Sequence, residues 1–158
     1  MHSWQRWTLG ILTIGGGVTG IALGITFLDV SISWLPGLVS VVFLTLYLWG
    51  TWCGIKILKG SPEALRSSMP FWSIQIPVIQ SSLASYIFSN GAFAGVLLKP
   101  TEHRFDLQVW IGSQAEISVM TGKPLTLGIN VFALFVVVWL WRLVRVQAST
   151  TSLKPELL

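Results

Sequence analysis

Charged side chains are scarce in this 158-residue sequence, in which Asp, Glu, Lys and Arg together make up only 10% of the residues. Soluble domains carry roughly 25% charged residues, whereas this chain is 53% hydrophobic. The shortage excludes water as the main solvent and predicts an integral membrane protein surrounded by lipid. Basic residues outnumber acidic ones, ten to six, but they form no basic stripe, so we expect no nucleic-acid partner.

Groups that carry chemistry are also few. The single cysteine, Cys53, excludes an internal disulfide and any metal site built from several cysteines. Neither histidine lies in an apolar segment, where a haem or pigment would need an axial ligand. No ionisable residue lies well inside an apolar segment, and the serines there have no base beside them. We therefore expect no cofactor, no metal and no enzymatic activity.

A glycine-rich stretch near the start of the chain has two interpretations. A Gly-x-Gly-x-x-Gly pattern beginning at Gly15 matches the dinucleotide-binding fingerprint, which needs an acidic ribose ligand about 20 residues later. That count leads to Leu35, with no acid beside it. Gly16, Gly20 and Gly24 instead share one helix face, the small-xxx-small pattern of closely packed membrane helices. We predict that these three glycines form a helix-packing contact.

Four membrane spans are predicted from uncharged runs of bilayer-spanning length. We place them at residues 8–28, 38–58, 70–90 or 77–98, and 125–145. A crossing in the third region leaves seven of the ten basic residues on the side of the termini, as the positive-inside rule favours. The pattern is typical of a bacterial inner-membrane protein with both termini in the cytoplasm. A cleaved signal peptide is the alternative for the first span.

Residues 99–124 carry the strand-like alternation in this sequence. Apolar side chains alternate with polar ones over residues 105–111, and again over residues 116–119 after a turn at Gly112. We predict a small extracytoplasmic β-hairpin element whose apolar face needs a covering surface. The predicted fold is therefore an all-α integral membrane protein, a four-transmembrane-helix bundle in a single domain of residues 1–158, with this element between helices 3 and 4.

Polar residues and a proline interrupt the third predicted span. They are Gln75, Pro77, Gln80, Ser82 and Asn90. Together they predict either a helix kink, whose freed carbonyl groups neighbouring hydroxyls would satisfy, or a polar lining of a substrate site in a broken helix.

The function predicted from these features is that of a non-catalytic accessory or assembly subunit of a larger membrane complex. Uncharged spans offer no catalytic or transport machinery, and the apolar hairpin face requires a partner. The expected partners are membrane lipid and other membrane protein subunits, or further copies of the chain. A small homo-oligomeric channel or transporter that uses the polar face of helix 3 is the alternative.

Overall fold

The computed structural model describes residues 3–26, 34–61 and 63–152. Within these ranges the helices are α1 (Ser3–Thr26), α2 (Trp34–Leu58), α3 (Ala64–Ser73) and α4 (Val131–Ser152). The strands are β1 (Pro77–Gln80), β2 (Ala84–Ser89), β3 (Ala92–Lys99), β4 (Arg104–Ile111), β5 (Gln114–Val119) and β6 (Thr126–Asn130). A short 3-10 helix, Pro100–Glu102, connects β3 to β4.

The prediction of an all-α four-helix membrane bundle is wrong. The third predicted span, 70–90 or 77–98, holds the end of α3 followed by strands, and the fourth span, 125–145, begins with β6. Among the described residues, two helical segments are long and apolar enough to cross a membrane, Ser3–Thr26 and Gly37–Leu58. Residues 27 and 28 of the first predicted span lie outside the described residues.

The strands were hidden from the sequence pattern because both faces of the sheet carry apolar side chains over residues 77–99. Phe93 and Leu97 of β3 are buried on one face, while Val96 and Leu98 point to the other. A strand that is apolar on both faces forms a continuous hydrophobic run instead of an alternating one. Such a run has the composition of a membrane helix, which explains the incorrect prediction.

Small residues bring α1 and α2 into close antiparallel contact. A Cβ atom on Gly20 would lie 2.3 Å from the Tyr47 ring of α2, and one on Gly17 would lie 2.2 Å from the Thr51 hydroxyl. From the opposite helix, Gly54 packs against Ile14 in the same way. Side chains larger than hydrogen at these positions would push the two backbones apart.

The six strands form one antiparallel sheet in the order β4-β3-β6-β1-β2-β5. In a flat sheet β2 and β3 would lie about 14 Å apart, and the edge strands β4 and β5 about 24 Å apart. Each pair is joined by only two residues, which can span at most about 11 Å between flanking Cα atoms. The sheet must therefore roll up, so that both connections meet at one end.

These two connections meet α1 at Gly16, in a contact that we name the Gly16 junction. The amide of Gly112 donates to the carbonyl of Gly91 at 2.9 Å, and the Ser113 hydroxyl donates to the Gly16 carbonyl at 2.5 Å. A Cβ atom on Gly16 would lie 2.4 Å from the Gly91 nitrogen and 2.6 Å from the Asn90 carbonyl carbon. The rolled end of the sheet can reach α1 only because Gly16 has no side chain.

The main hydrophobic core lies where the sheet meets the helices. Phe88 of β2 is fully buried, and its ring lies 5.9 Å from Phe43, 5.3 Å from Tyr47 and 6.2 Å from Phe71. The same core includes residues from all four helices. Helices and sheet therefore share one core.

We expect Gly16→Ala to destabilise the protein by about 2 kcal/mol, because the new methyl group would overlap the Asn90–Gly91 backbone. Gly15→Ala is the matched control, since nothing lies within 4 Å of its Cβ position, and its higher helix propensity should stabilise α1 by roughly 0.5–1 kcal/mol. Unfolding of the purified protein in mild detergent measures both. Equal stability of the two variants would contradict the contact at Gly16.

Candidate interaction surface

The register of the rolled sheet sorts its side chains into two faces. Residues that lie opposite each other in an antiparallel pair point to the same side of the sheet. One face, which we name the outer face, includes Phe88 and packs in part against the helices. The opposite face, the inner face, includes Phe93 and Trp110, whose rings stack at 3.8 Å.

The outer face carries no charged residue on any of the six strands. Many of its large apolar side chains are exposed: Ile79, Leu98, Phe105, Leu107, Val109, Ile111, Ile117, Val119, Leu127 and Ile129. Those of β4 are the most exposed, from 74% for Phe105 to 92% for Ile111. Contiguous exposed apolar areas of this kind are typical of interaction surfaces.

Charged groups of the sheet lie on the inner face and in the loops. Lys99 pairs with Asp106 at 3.2 Å, Arg104 with Glu102 at 3.3 Å, and Lys123 with Glu116. Val78, Ile87, Phe93 and Leu97 form a second, smaller core beside them. The polarity is thus the reverse of a water-soluble barrel, because the apolar side chains point outward and the ion pairs point inward or lie at one end.

The free edge of β4 is a second feature of this surface. β4 is an edge strand of eight residues and pairs on one side with β3. Within the part of the chain that the structure describes, no backbone hydrogen bond joins its other side to a strand. Proteins commonly protect such edges with lysine, proline, a bulge or a covering segment. The outward side chains of β4 include no lysine or proline, and the charges of this strand, Arg104 and Asp106, point to the inner face. The outward side of this edge is therefore uncharged.

Two of the predicted polar-lining residues form a buried hydrogen-bond network. The Gln75 side chain donates to the Phe71 carbonyl at 3.1 Å and accepts from the Asn90 amide at 2.9 Å. The Asn90 side chain donates to the Thr13 carbonyl of α1 at 3.0 Å. Gln75, Asn90 and Thr13 are fully buried, so the network joins α3, the β2–β3 turn and α1.

The other predicted site residues lie apart from this network. Pro77 and Gln80 are the first and last residues of β1, and Ser82 is exposed in the next turn. Of the predicted packing glycines, Gly16 contacts the sheet and Gly20 contacts α2. Gly24 has ordinary contact, with Leu44 at 3.7 Å from its Cβ position.

The described residues contain no group of three or more His, Cys, Asp or Glu side chains that could hold a metal ion. Cys53 is buried with its sulfur 3.6 Å from the Ser67 carbonyl oxygen. An apolar groove of about 440 Å³ between α1 and α4 is lined by Trp4, Leu12, Phe135 and Trp139, among others. The apolar side chains that line this groove are suited to contact with hydrocarbon.

Comparison with known proteins found no match to a family model, a curated protein or a solved structure.

Sequence reasoning found part of this surface and missed most of it. The alternation over residues 105–119 corresponds to β4 and β5. The predicted hairpin is wrong, because β4 pairs with β3 and β5 pairs with β2, at opposite ends of the strand order. The contributions of β3, β6 and β1 were missed because these strands lie in the two apolar runs assigned to helices. The free edge of β4 depends on strand order, for which the sequence offers no local signal.

Replacing Gln75 by Leu should cost about 1–3 kcal/mol of stability, because it leaves the buried amide of Asn90 without an acceptor. Gln80→Leu is the matched control, since the Gln80 side chain is half-buried and should tolerate the change within about 0.5 kcal/mol. Thermal unfolding in detergent reports both changes. A larger loss for Gln80→Leu would contradict the structural role of the network.

Proposed function

We propose that this chain is a non-catalytic subunit of a membrane protein complex, which binds a partner protein through β4 and the adjoining outer face. The exposed apolar side chains of β4 beside its unpaired edge carry this proposal. Their arrangement fits a partner that presents a strand edge with apolar side chains next to it, as in β-strand addition.

Membrane location is supported by α1 and α2. Only 33% of the apolar stretch of α1 and 28% of the apolar stretch of α2 is buried within the protein. The core helix of a soluble protein would be mostly buried. Six basic residues gather near the starts of α1 and α3, the end of α2 and the second half of α4: Arg6, Lys56, Lys59, Arg66, Arg142 and Arg145. We name this the basic end. The positive-inside rule assigns it to the cytoplasmic side of a bacterial inner membrane.

Aromatic side chains mark the same level of the molecule. Trp4 stacks on Trp139 at 6.1 Å between ring centroids, Lys56 lies over Trp52, and Arg145 lies over Trp141. Tryptophan beside basic residues is typical of the boundary between hydrocarbon and headgroups.

A protein partner is favoured over lipid alone because of the β4 backbone. Lipid can cover apolar side chains, but it cannot accept or donate the hydrogen bonds that an unpaired strand edge requires. A strand of another protein satisfies both requirements at once.

The alternative, a channel lined by the polar face of the predicted third membrane helix, has no support in the structure. Gln75 and Asn90 bond to each other in the core, and Gln80 and Ser82 lie in and after a strand. These residues share no helix face that could line a pore. A second copy of the chain, however, could supply the partner strand and is distinguished by experiment.

We expect a photo-crosslinking amino acid at Val109 to capture one defined membrane protein in stoichiometric yield, and the same probe at Leu83 to capture little. Both side chains are 77% exposed, but Leu83 lies in the turn between β1 and β2, neither of which pairs with β4. Mass spectrometry identifies the captured protein.

Leu107→Lys should abolish co-purification with the captured protein, because a charge beside the edge opposes strand pairing and apolar contact. Leu83→Lys should leave it intact, although both residues are about equally exposed, at 75% and 77%. Capture of only the chain itself would replace the accessory role with self-association. A monomer with no product at Val109 would contradict the proposal.

A further inference from the structure

The sheet lies beside the second half of α1 rather than beyond its end. The Gly16 junction is near the middle of α1, which has 24 residues. Past this point, a cavity of about 380 Å³ is lined by Gly20 and Gly24 of α1 together with Ala115 and Ile117 of β5. If α1 spans a bilayer, the sheet occupies the same depth as the part of α1 that lies beyond Gly16.

The chain passes from helix to strand at the level of this junction. α3 begins at the basic end, and its last residues lead to Gln75, which bonds to Asn90 in the junction. β1 then runs away from the basic end, because it pairs antiparallel with β2, which ends at the junction. The second transition runs in the opposite direction. β6 leads back to the Gly16 junction at Asn130, and α4 then continues towards the basic end, where Trp139 stacks on Trp4.

We propose that the sheet is inserted in the bilayer and that lipid covers the outer face beyond the β4 edge. The chain then crosses through two composite segments, residues 64–80 and 126–145, each part helix and part strand. This inference rests on the proposed membrane function and specifies how the protein lies in the lipid.

The composite segments have the length that a bilayer requires. The ten residues of α3 rise about 15 Å and the four of β1 about 13 Å, before the three linking residues are added. The five residues of β6 extend about 17 Å, and α4 rises another 17 Å or so by Trp141. Both totals match the hydrocarbon thickness of about 30 Å.

Backbone groups at the helix–strand transitions are hydrogen-bonded within the protein, as lipid demands. The Asn130 amide donates to the Ile76 carbonyl at 2.8 Å, which joins the two composite segments. The Asn130 side chain accepts from the Ala133 amide at 3.2 Å and so caps the start of α4. These bonds compensate for the interruption of each helix at mid-depth.

Charge is distributed as this placement requires. The three loops at the far end of the sheet, residues 81–83, 100–103 and 120–125, contain Glu102, His103 and Lys123. We name them the distal loops. Between them and the basic end, the outer face is uncharged, and the sheet carboxylates Asp106 and Glu116 are paired with lysines. An apolar band with polar groups inside and charged loops at the rim is the pattern of membrane-inserted sheets.

The side of the membrane that each end faces tests the proposal. In a Cys53→Ser background, single cysteines at Lys59, Thr101 and Arg142 are treated with a membrane-impermeant maleimide in sealed cells and in inverted vesicles. We expect Thr101→Cys to react from the side opposite to Lys59→Cys and Arg142→Cys. Labelling of all three from one side would overturn the inference, because the sheet would then lie in water beside the basic end.

Lysine substitutions on the outer face away from β4 provide a second measurement. Ile129 of β6 is next to the Gly16 junction and Val119 of β5 next to the distal loops, and both side chains are exposed on the outer face. If lipid covers this face, Ile129→Lys should lower the inserted, protease-resistant fraction by about thirtyfold, and Val119→Lys by less than about fivefold. Equal effects of the two substitutions would contradict insertion.

These outcomes are separable from those of the proposed function. Labelling from one side together with specific capture at Val109 refutes bilayer insertion alone. Labelling from opposite sides with no capture at Val109 refutes the partner protein, and the lysine substitutions on the outer face then decide insertion.

Discussion

The structure depends on the close approach of the β2–β3 turn to α1 at Gly16. Rolling the sheet brings the β2–β3 and β4–β5 connections to one end of the sheet. That end packs against α1 so closely that the helix position facing it has no room for a side chain. Gly16 occupies that position, and the Ser113 hydroxyl and Asn90 side chain add hydrogen bonds to α1. Because Phe88 enters the helical core immediately before this turn, the junction also fixes how helices and sheet share one core.

This arrangement determines what remains exposed. Helices cover the part of the outer face around Phe88, while β4 lies at the opposite edge of the sheet order and keeps its apolar side chains uncovered. An apolar outer face with paired charges inside is unfavourable in water, because it exposes hydrocarbon while partly enclosing ionic groups. A bilayer would remove the exposure of hydrocarbon, and a protein partner would supply hydrogen bonds to the β4 edge, which is why the two proposals are compatible.

The buried polar side chains stabilise the places where the chain changes from helix to strand. Gln75, Asn90 and Asn130 all lie where a helix gives way to a strand or a strand turns, and each bonds to backbone groups there. Buried backbone groups without partners are costly, most of all in a low-dielectric surrounding. The amides compensate for broken helices and need no substrate to explain them.

The sequence by itself predicts lipid as the main solvent, since too few charges are present for a water-soluble surface, and it located the alternation of β4 and β5. It also singled out Gly16, Gly20 and Gly24 for helix packing and the amides Gln75 and Asn90 for a kink or polar lining, whereas the structure places Gly16 against the β2–β3 turn and the two amides in the core. Only the tertiary structure decided that residues 77–99 form strands, because side chains apolar on both faces of a sheet have no period that distinguishes them from a membrane helix. Strand order decided the free edge of β4, because the contacts that set it join residues far apart in the chain.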